Sequence, residues 1–149
     1  MKRYPTGQAN PAGTWTVLSV GQPQEDYLSF EALFNEAELE LELYQADDLA
    51  SAGEVLNSKE IGVVICEREM SPHTWIDMLE HLRLLRYAPP LIVTSRLADE
   101  RLWAEALNLG AYDVLAKPFQ GTELIRAVNL AWLRWRHERD ADATAAKPA

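Results

Sequence analysis

Lys117 is followed directly by Pro118, at the end of the short apolar run Val114-Leu115-Ala116. Proline would break a continuing strand ladder, so the lysine is predicted to stand at the carboxyl end of a strand. In an open α/β sheet that edge is where sites are built. Three other apolar runs end in reactive residue types: Ser19-Val20-Gly21-Gln22, Ile65-Cys66-Glu67 and Val93-Thr94-Ser95. Together with Lys117 they offer one ammonium, one carboxylate, one carboxamide, three hydroxyls and one thiol. A zinc site is not expected, because Cys66 is the single cysteine and His73, His81 and His137 form no pair at ligand spacing. Ser95 or Ser71 with His73 lacks the Gly-x-Ser-x-Gly elbow of a nucleophilic serine. Cys66 lies in an apolar strand beside an acid, the setting of an inert buried thiol rather than a reactive one. Glycine is sparse after the first strand, so no phosphate-cradling loop is read there.

These residues need a scaffold, and the chain alternates in a way that supplies one. Strands are predicted at Trp15 to Val20, Leu39 to Leu43, Gly62 to Cys66, Leu91 to Thr94 and Tyr112 to Ala116. Helices are predicted at Glu25 to Glu36, Asp47 to Leu56, Pro72 to Tyr87, Ala98 to Leu109 and Gly121 to about Glu138, from apolar residues at helical spacing. Asp47 or Asp48 caps the second helix, and Gly110 stops the fourth. In the second strand Leu39, Leu41 and Leu43 alternate with Glu38, Glu40 and Glu42, the pattern of an edge strand with one wet face; the alternative is a continuation of the preceding helix, since Glu and Leu both favour helices. Five strand–helix units in strict alternation predict an α/β fold: a flavodoxin-like, doubly wound, five-stranded parallel sheet in the order 2-1-3-4-5 with five helices. Residues 1–14, rich in Pro and Gly, read as a flexible arm. Residues 139–149 read as a disordered tail. The domain is the stretch 15–138, with no internal repeat.

Composition excludes several function classes. A net charge of −9 argues against a nucleic-acid surface, which needs clustered Lys and Arg. No apolar run reaches the roughly 18 residues of a membrane span, and the start lacks an apolar signal core. One cysteine excludes a disulfide framework and fits a reducing cytoplasm.

The segment Ala116-Lys117-Pro118-Phe119, with Val93-Thr94-Ser95 and Gly110-Ala111, resembles the receiver domains of bacterial response regulators. The resemblance covers about residues 15–138. In that family the lysine closes over a phosphorylated aspartate. The resemblance places the acceptor position on Glu67, followed by Met70 and Pro72 with Ser71 as one extra residue. It places the conserved hydroxyl on Thr94, the metal-binding acidic pair on Gly21 and Gln22, and the aromatic switch position on Val114. None of those last three carries the family's chemistry. Mg²⁺ is normally held by one or two carboxylates plus waters and phosphate oxygens. With two acids missing and the third lengthened to glutamate, a direct Glu67–Lys117 pair is expected in place of a metal-dependent phosphorylation site. No cofactor and no metal are expected, and no enzymatic activity.

The last helix carries more apolar surface than one core stripe needs. Leu124, Val128 and Ala131 (or Trp132) fit the stripe; Leu130, Trp132, Leu133 and Trp135, interleaved with Arg134, read as interface anchors, extended by Trp103 on the fourth helix, against the alternative that Trp132 caps the core and Trp135 folds back over the preceding helix. In receiver domains the same region is the common partner surface. The expected function is phosphorylation-independent signalling by protein–protein interaction, with a histidine kinase, an output protein or a second copy as partner. Two alternatives stand beside it. One is a phospho-accepting regulator. The other is a small-molecule or redox sensor using the strand-end crevice near Gly21, Cys66 and Thr94.

Overall fold

The computed structural model describes residues 2–4 and 14–146. Its strands are β1 (Lys2–Tyr4), β2 (Trp15–Val20), β3 (Leu41–Ala46), β4 (Val63–Glu67), β5 (Glu69–Met70), β6 (His73–Thr74), β7 (Leu91–Ser95) and β8 (Asp113–Ala116). Its helices are α1 (Gln24–Glu36), α2 (Leu49–Ser58), α3 (Trp75–Leu82), α4 (Glu100–Leu109) and α5 (Gly121–Ala146). The parallel strands run β3-β2-β4-β7-β8, which is the expected 2-1-3-4-5 order counted over those five. The central strands β4 and β7 are apolar up to Cys66 and Val93, because helices cover both of their faces, and turn polar only at their carboxyl ends, Glu67 and Thr94-Ser95.

Two apolar layers sandwich the sheet. On one face Leu18, Val64, Cys66, Val93 and Val114 pack against Leu56 of α2, Met78 and Leu82 of α3, and Leu102 of α4. On the other, Val17, Ile65, Ile92 and Leu115 pack against Phe30 and Phe34 of α1 and Val128 and Trp135 of α5. Caps fix the helix ends. Asp48 accepts from Ser51 N at 2.8 Å, Asp99 accepts from Leu102 N at 3.0 Å, and Gly110 closes α4 at φ +103°.

Four expectations are corrected. First, Lys2–Tyr4, read as part of a flexible arm, form a strand antiparallel to β3, so the sheet has six strands; residues 5–13 lie outside the described residues. In this register Lys2 stands opposite Leu43, Arg3 opposite Glu42 and Tyr4 opposite Leu41. Second, β3 spans Leu41–Ala46 rather than Leu39–Leu43, because Glu38 turns the chain at φ +53° before the strand begins. Third, α3 begins only at Trp75. The preceding residues form the β5–β6 hairpin, and Thr74 caps the helix in reciprocal exchange with Asp77. Fourth, α5 continues to Ala146 through residues read as a disordered tail. The sequence there is rich in alanine, and Arg134–Glu138 (3.2 Å) and Arg136–Asp140 (3.8 Å) pair one turn apart.

The expected interface anchors also divide. Trp132 and Trp135 are core residues, 6% and 2% exposed, with ring centroids 5.0 Å apart. Gly62 makes the room: a Cβ there would lie 2.3 Å from the Trp132 ring. Trp135 Nε1 donates to the Tyr87 carbonyl at 3.0 Å, and the Arg139 guanidinium lies 4.7 Å from its ring centroid. Leu130, Leu133, Leu107 and Arg134 remain exposed, as does Trp103 at the margin.

Candidate functional site

The carboxyl ends of β2, β4, β7 and β8 converge as the strand order requires. Glu67 and Thr94 follow Ile65 and Ile92 by two residues, so they share the face toward α1 and α5. Lys117, two residues after Leu115, stands on the same side. Its ammonium bonds Glu67 Oε2, as the sequence predicts, and also Asp26 Oδ2 at 2.7 Å. All three side chains are mostly buried, at 9% exposure for Lys117, 16% for Asp26 and 15% for Glu67. The second oxygen of Glu67 accepts from the Arg68 amide at 3.1 Å. Lys117 is further fixed through its own amide, which donates to the Ser95 carbonyl at 3.1 Å.

Asp26 is the functional residue that strand-end reasoning misses. It lies in the first turn of α1, where an acid ordinarily reads as a partner for the helix dipole. The available signal was its distance from β2: Asp26 stands one helical turn beyond the Gly21-Gln22 pair at the switch point.

Gln22 takes a different role from a ligand. Its Nε2 donates to Thr94 Oγ1 at 2.8 Å, and Thr94 in turn donates to the Cys66 carbonyl at 3.4 Å. The glutamine thus spans from the end of β2 across β4 to β7, and both Gln22 and Thr94 are buried. Gly21 supplies the turn that starts this bridge, at φ +72°. It also admits the Met70 side chain, which lies 2.5 Å from where a Cβ would be. The crevice expected near Gly21 and Cys66 is therefore filled by Met70. The Cys66 thiol is fully buried with its Sγ 3.7 Å from the Met70 sulfur, and burial, reinforced by Glu67, pushes it far above its ordinary ionisation range. A thiolate sensor does not fit these positions.

Val114 does not join the site. It faces the α4 layer, 2% exposed, on the other side of the sheet. Its amide donates to Asp113 Oδ1 at 2.8 Å. Burial raises the Asp113 carboxyl above its usual range, outweighing the Val114 amide and Arg126, which act downward. An acid raised by folding adds stability below its unfolded pKa and loses it as pH rises through the folded value. Asp113→Asn is thus expected to raise Tm at pH 7 and to gain little at pH 3 by calorimetry. Equal gains at both pH values would assign the effect to something other than ionisation.

The resemblance to receiver domains implies a bound Mg²⁺. Mg²⁺ demands near-octahedral oxygens, some of them free carboxylates. Gly21 and Gln22 offer none, and the carboxylates of Asp26 and Glu67 are both engaged by Lys117. Among the described residues no cluster of three or more His, Cys, Asp or Glu is arranged to hold a metal. The residues do not fit the ion.

Known proteins share this fold and sequence pattern. The family model for the response regulator receiver domain matches residues 26–129. The transcriptional regulatory protein FixJ of Rhizobium meliloti (strain 1021) is 28% identical over 110 residues, 74% of this chain. The match spans 52% of FixJ's own length. Among solved structures, the signal receiver domain of an HD domain-containing protein from Pseudomonas fluorescens Pf-5 superposes with a TM-score of 0.71 at 23% identity, covering 85% of this chain and 92% of that one. The receiver domain of the Francisella response regulator 1452 gives 0.68 at 27% identity, covering 80% and 97%. Among the described residues no helix is long and apolar enough to cross a membrane.

Proposed function

The chain belongs to the response regulator receiver family, and from that premise we propose that it signals by binding other proteins without accepting a phosphoryl group. The observation that carries this reading is the Asp26–Lys117–Glu67 cluster. Two carboxylates and one ammonium leave a net charge of −1 in a mostly buried space. An incoming phosphoryl group would add further negative charge there, with its natural counter-charge, Lys117, already engaged. The acceptor position holds a glutamate whose oxygens are both bonded.

Thr94 supports the same reading. In receiver domains this hydroxyl answers to the phosphoryl group; here Gln22 and the Cys66 carbonyl hold it from within the sheet. The site is built to keep one arrangement. The output then depends on when and where the chain meets its partner, in the cytoplasm that its single buried cysteine suits.

The surface that fits a partner is the α4–α5 side. Leu107 of α4 and Leu130 and Leu133 of α5 are exposed, with Trp103 at the margin and Arg134 beside them. Apolar side chains with an arginine are the composition of interface cores. A histidine kinase, an output protein or a second copy are the partner classes that a receiver domain offers such a face to.

The direct test is incubation with Mg²⁺ and acetyl phosphate, followed by intact mass. No stable gain is expected in the wild type. A gain of one phosphoryl group that Glu67→Gln abolishes would overturn the proposal.

A further inference from the structure

The sheet edge formed by β3 carries a second interaction surface, separate from both the strand-end site and the α4–α5 face. β3 is an unusual edge. Leu41, Leu43, Tyr44 and Ala46 are all buried, so the strand has the character of an interior one. An apolar strand with a free row of N–H and C=O groups is a template for another strand. Here Lys2–Tyr4 occupy that template, in the register Lys2 to Leu43, Arg3 to Glu42 and Tyr4 to Leu41. Among the described residues, β1 pairs with the first half of β3, from Leu41 to Leu43.

The chain that delivers β1 is longer than local pairing requires. Tyr4 and Trp15 both stand level with Leu41, on opposite sides of β3. Two strand spacings separate them, about 10 Å. The ten residues between Tyr4 and Trp15 can reach about 33 Å when extended. That length reaches the β3 edge of a neighbouring molecule as readily as its own. In sequence, the cationic Lys2-Arg3 pair is complementary to a segment that carries Glu38, Glu40 and Glu42, in the chain's own copy and in a second copy alike, which favours this strand over an unrelated one as occupant. Each chain holds one such strand and one such edge, so reciprocal exchange closes as a two-fold dimer and leaves no template unfilled.

We propose that the β3 edge is a strand-acceptor site whose intermolecular occupant is Lys2–Tyr4 of a second copy, exchanged in the same register. Both forms make the same hydrogen bonds, so the balance between them is set by chain concentration against the effective concentration of the tether, on the order of millimolar for a short linker.

Cysteines placed at Arg3 and Glu42 test it. Residues directly opposite in an antiparallel pair have Cα atoms about 4.5–5.5 Å apart, within disulfide reach. Cys66, being buried, is left in place. The Arg3→Cys/Glu42→Cys variant, oxidised at about 1 mM chain, is expected to give covalent dimers whose fraction falls on dilution. Arg3→Cys mixed with a tagged Glu42→Cys chain is expected to give the mixed disulfide dimer. A control pairing Arg3→Cys with Leu28→Cys, on exposed α1, is expected not to. Intrachain closure alone at all concentrations, no closure at all, or a mixed dimer no more abundant than the control would each overturn the proposal. An α4–α5 dimer does not align positions 3 and 42, so the result is independent of that interface.

Discussion

Lys117→Met is expected to cost about 3–5 kcal/mol, because it leaves the Asp26 and Glu67 carboxylates buried together with no counter-charge. Measured by thermal unfolding, that is a Tm loss of about 10–20 °C for a domain of this size. The three groups are at most 16% exposed, so solvent relieves little of the penalty. The arrangement also predicts an asymmetry. Glu67→Gln leaves Lys117 with Asp26, and the site becomes neutral, so its cost is expected to stay near 1 kcal/mol. Lys117→Met/Glu67→Gln is expected to recover part of the loss of Lys117→Met, since one buried charge remains instead of two. A strictly two-residue pair would instead make Glu67→Gln as damaging as Lys117→Met. A neutral Lys117→Met would remove the physical basis of the proposed function.

Trp135→Ala carries the other large effect, about 3–5 kcal/mol. The ring is 2% exposed and packs on Trp132; its loss opens a cavity between α5 and the sheet. It also strands the Tyr87 carbonyl and takes the ring from beneath Arg139. Trp135→Phe separates these contributions: it keeps most of the packing and loses the indole N–H, at about 1 kcal/mol. Denaturant unfolding of the two variants reads the difference. If Trp135→Ala left stability unchanged but altered the mass in light scattering, the residue would be an interface anchor and not core.

That contrast shows where the sequence is legible. The parallel strands are readable because β2, β4, β7 and β8 are short, mainly apolar runs with Gly, Pro or polar residues at their ends, whereas β3 shows itself by its Leu/Glu alternation. Lys117 is readable because Pro118 fixes where its strand must end. The Glu67–Lys117 contact is implied by the receiver resemblance, which sets the acceptor position on Glu67 opposite the family's lysine. Asp26 is not readable in the same way: its partner is 91 positions away, and a first-turn acid already has a local explanation. The tryptophans mislead because helical periodicity counts apolar positions without knowing the depth of what faces them. Gly62, by lacking a side chain, deepens the pocket enough to take both rings. β1 escapes because three residues are too few to show a period, and its pairing is decided by the edge it meets.

Helix α5 has a mechanical consequence. It begins at Gly121, just after the Lys117-Pro118-Phe119-Gln120 connection, while near its other end Arg139 holds Glu60 and Asp142 holds Tyr87, on loops at the amino-terminal edge of the sheet. At 26 residues it is a rod about 39 Å long. A partner that presses on the exposed Leu130 and Leu133 side chains therefore works a lever with one end near the ammonium and the other tied to two loops on the far side of the molecule. Force applied at mid-helix reaches both poles of the domain at once, with no chemical signal travelling between them.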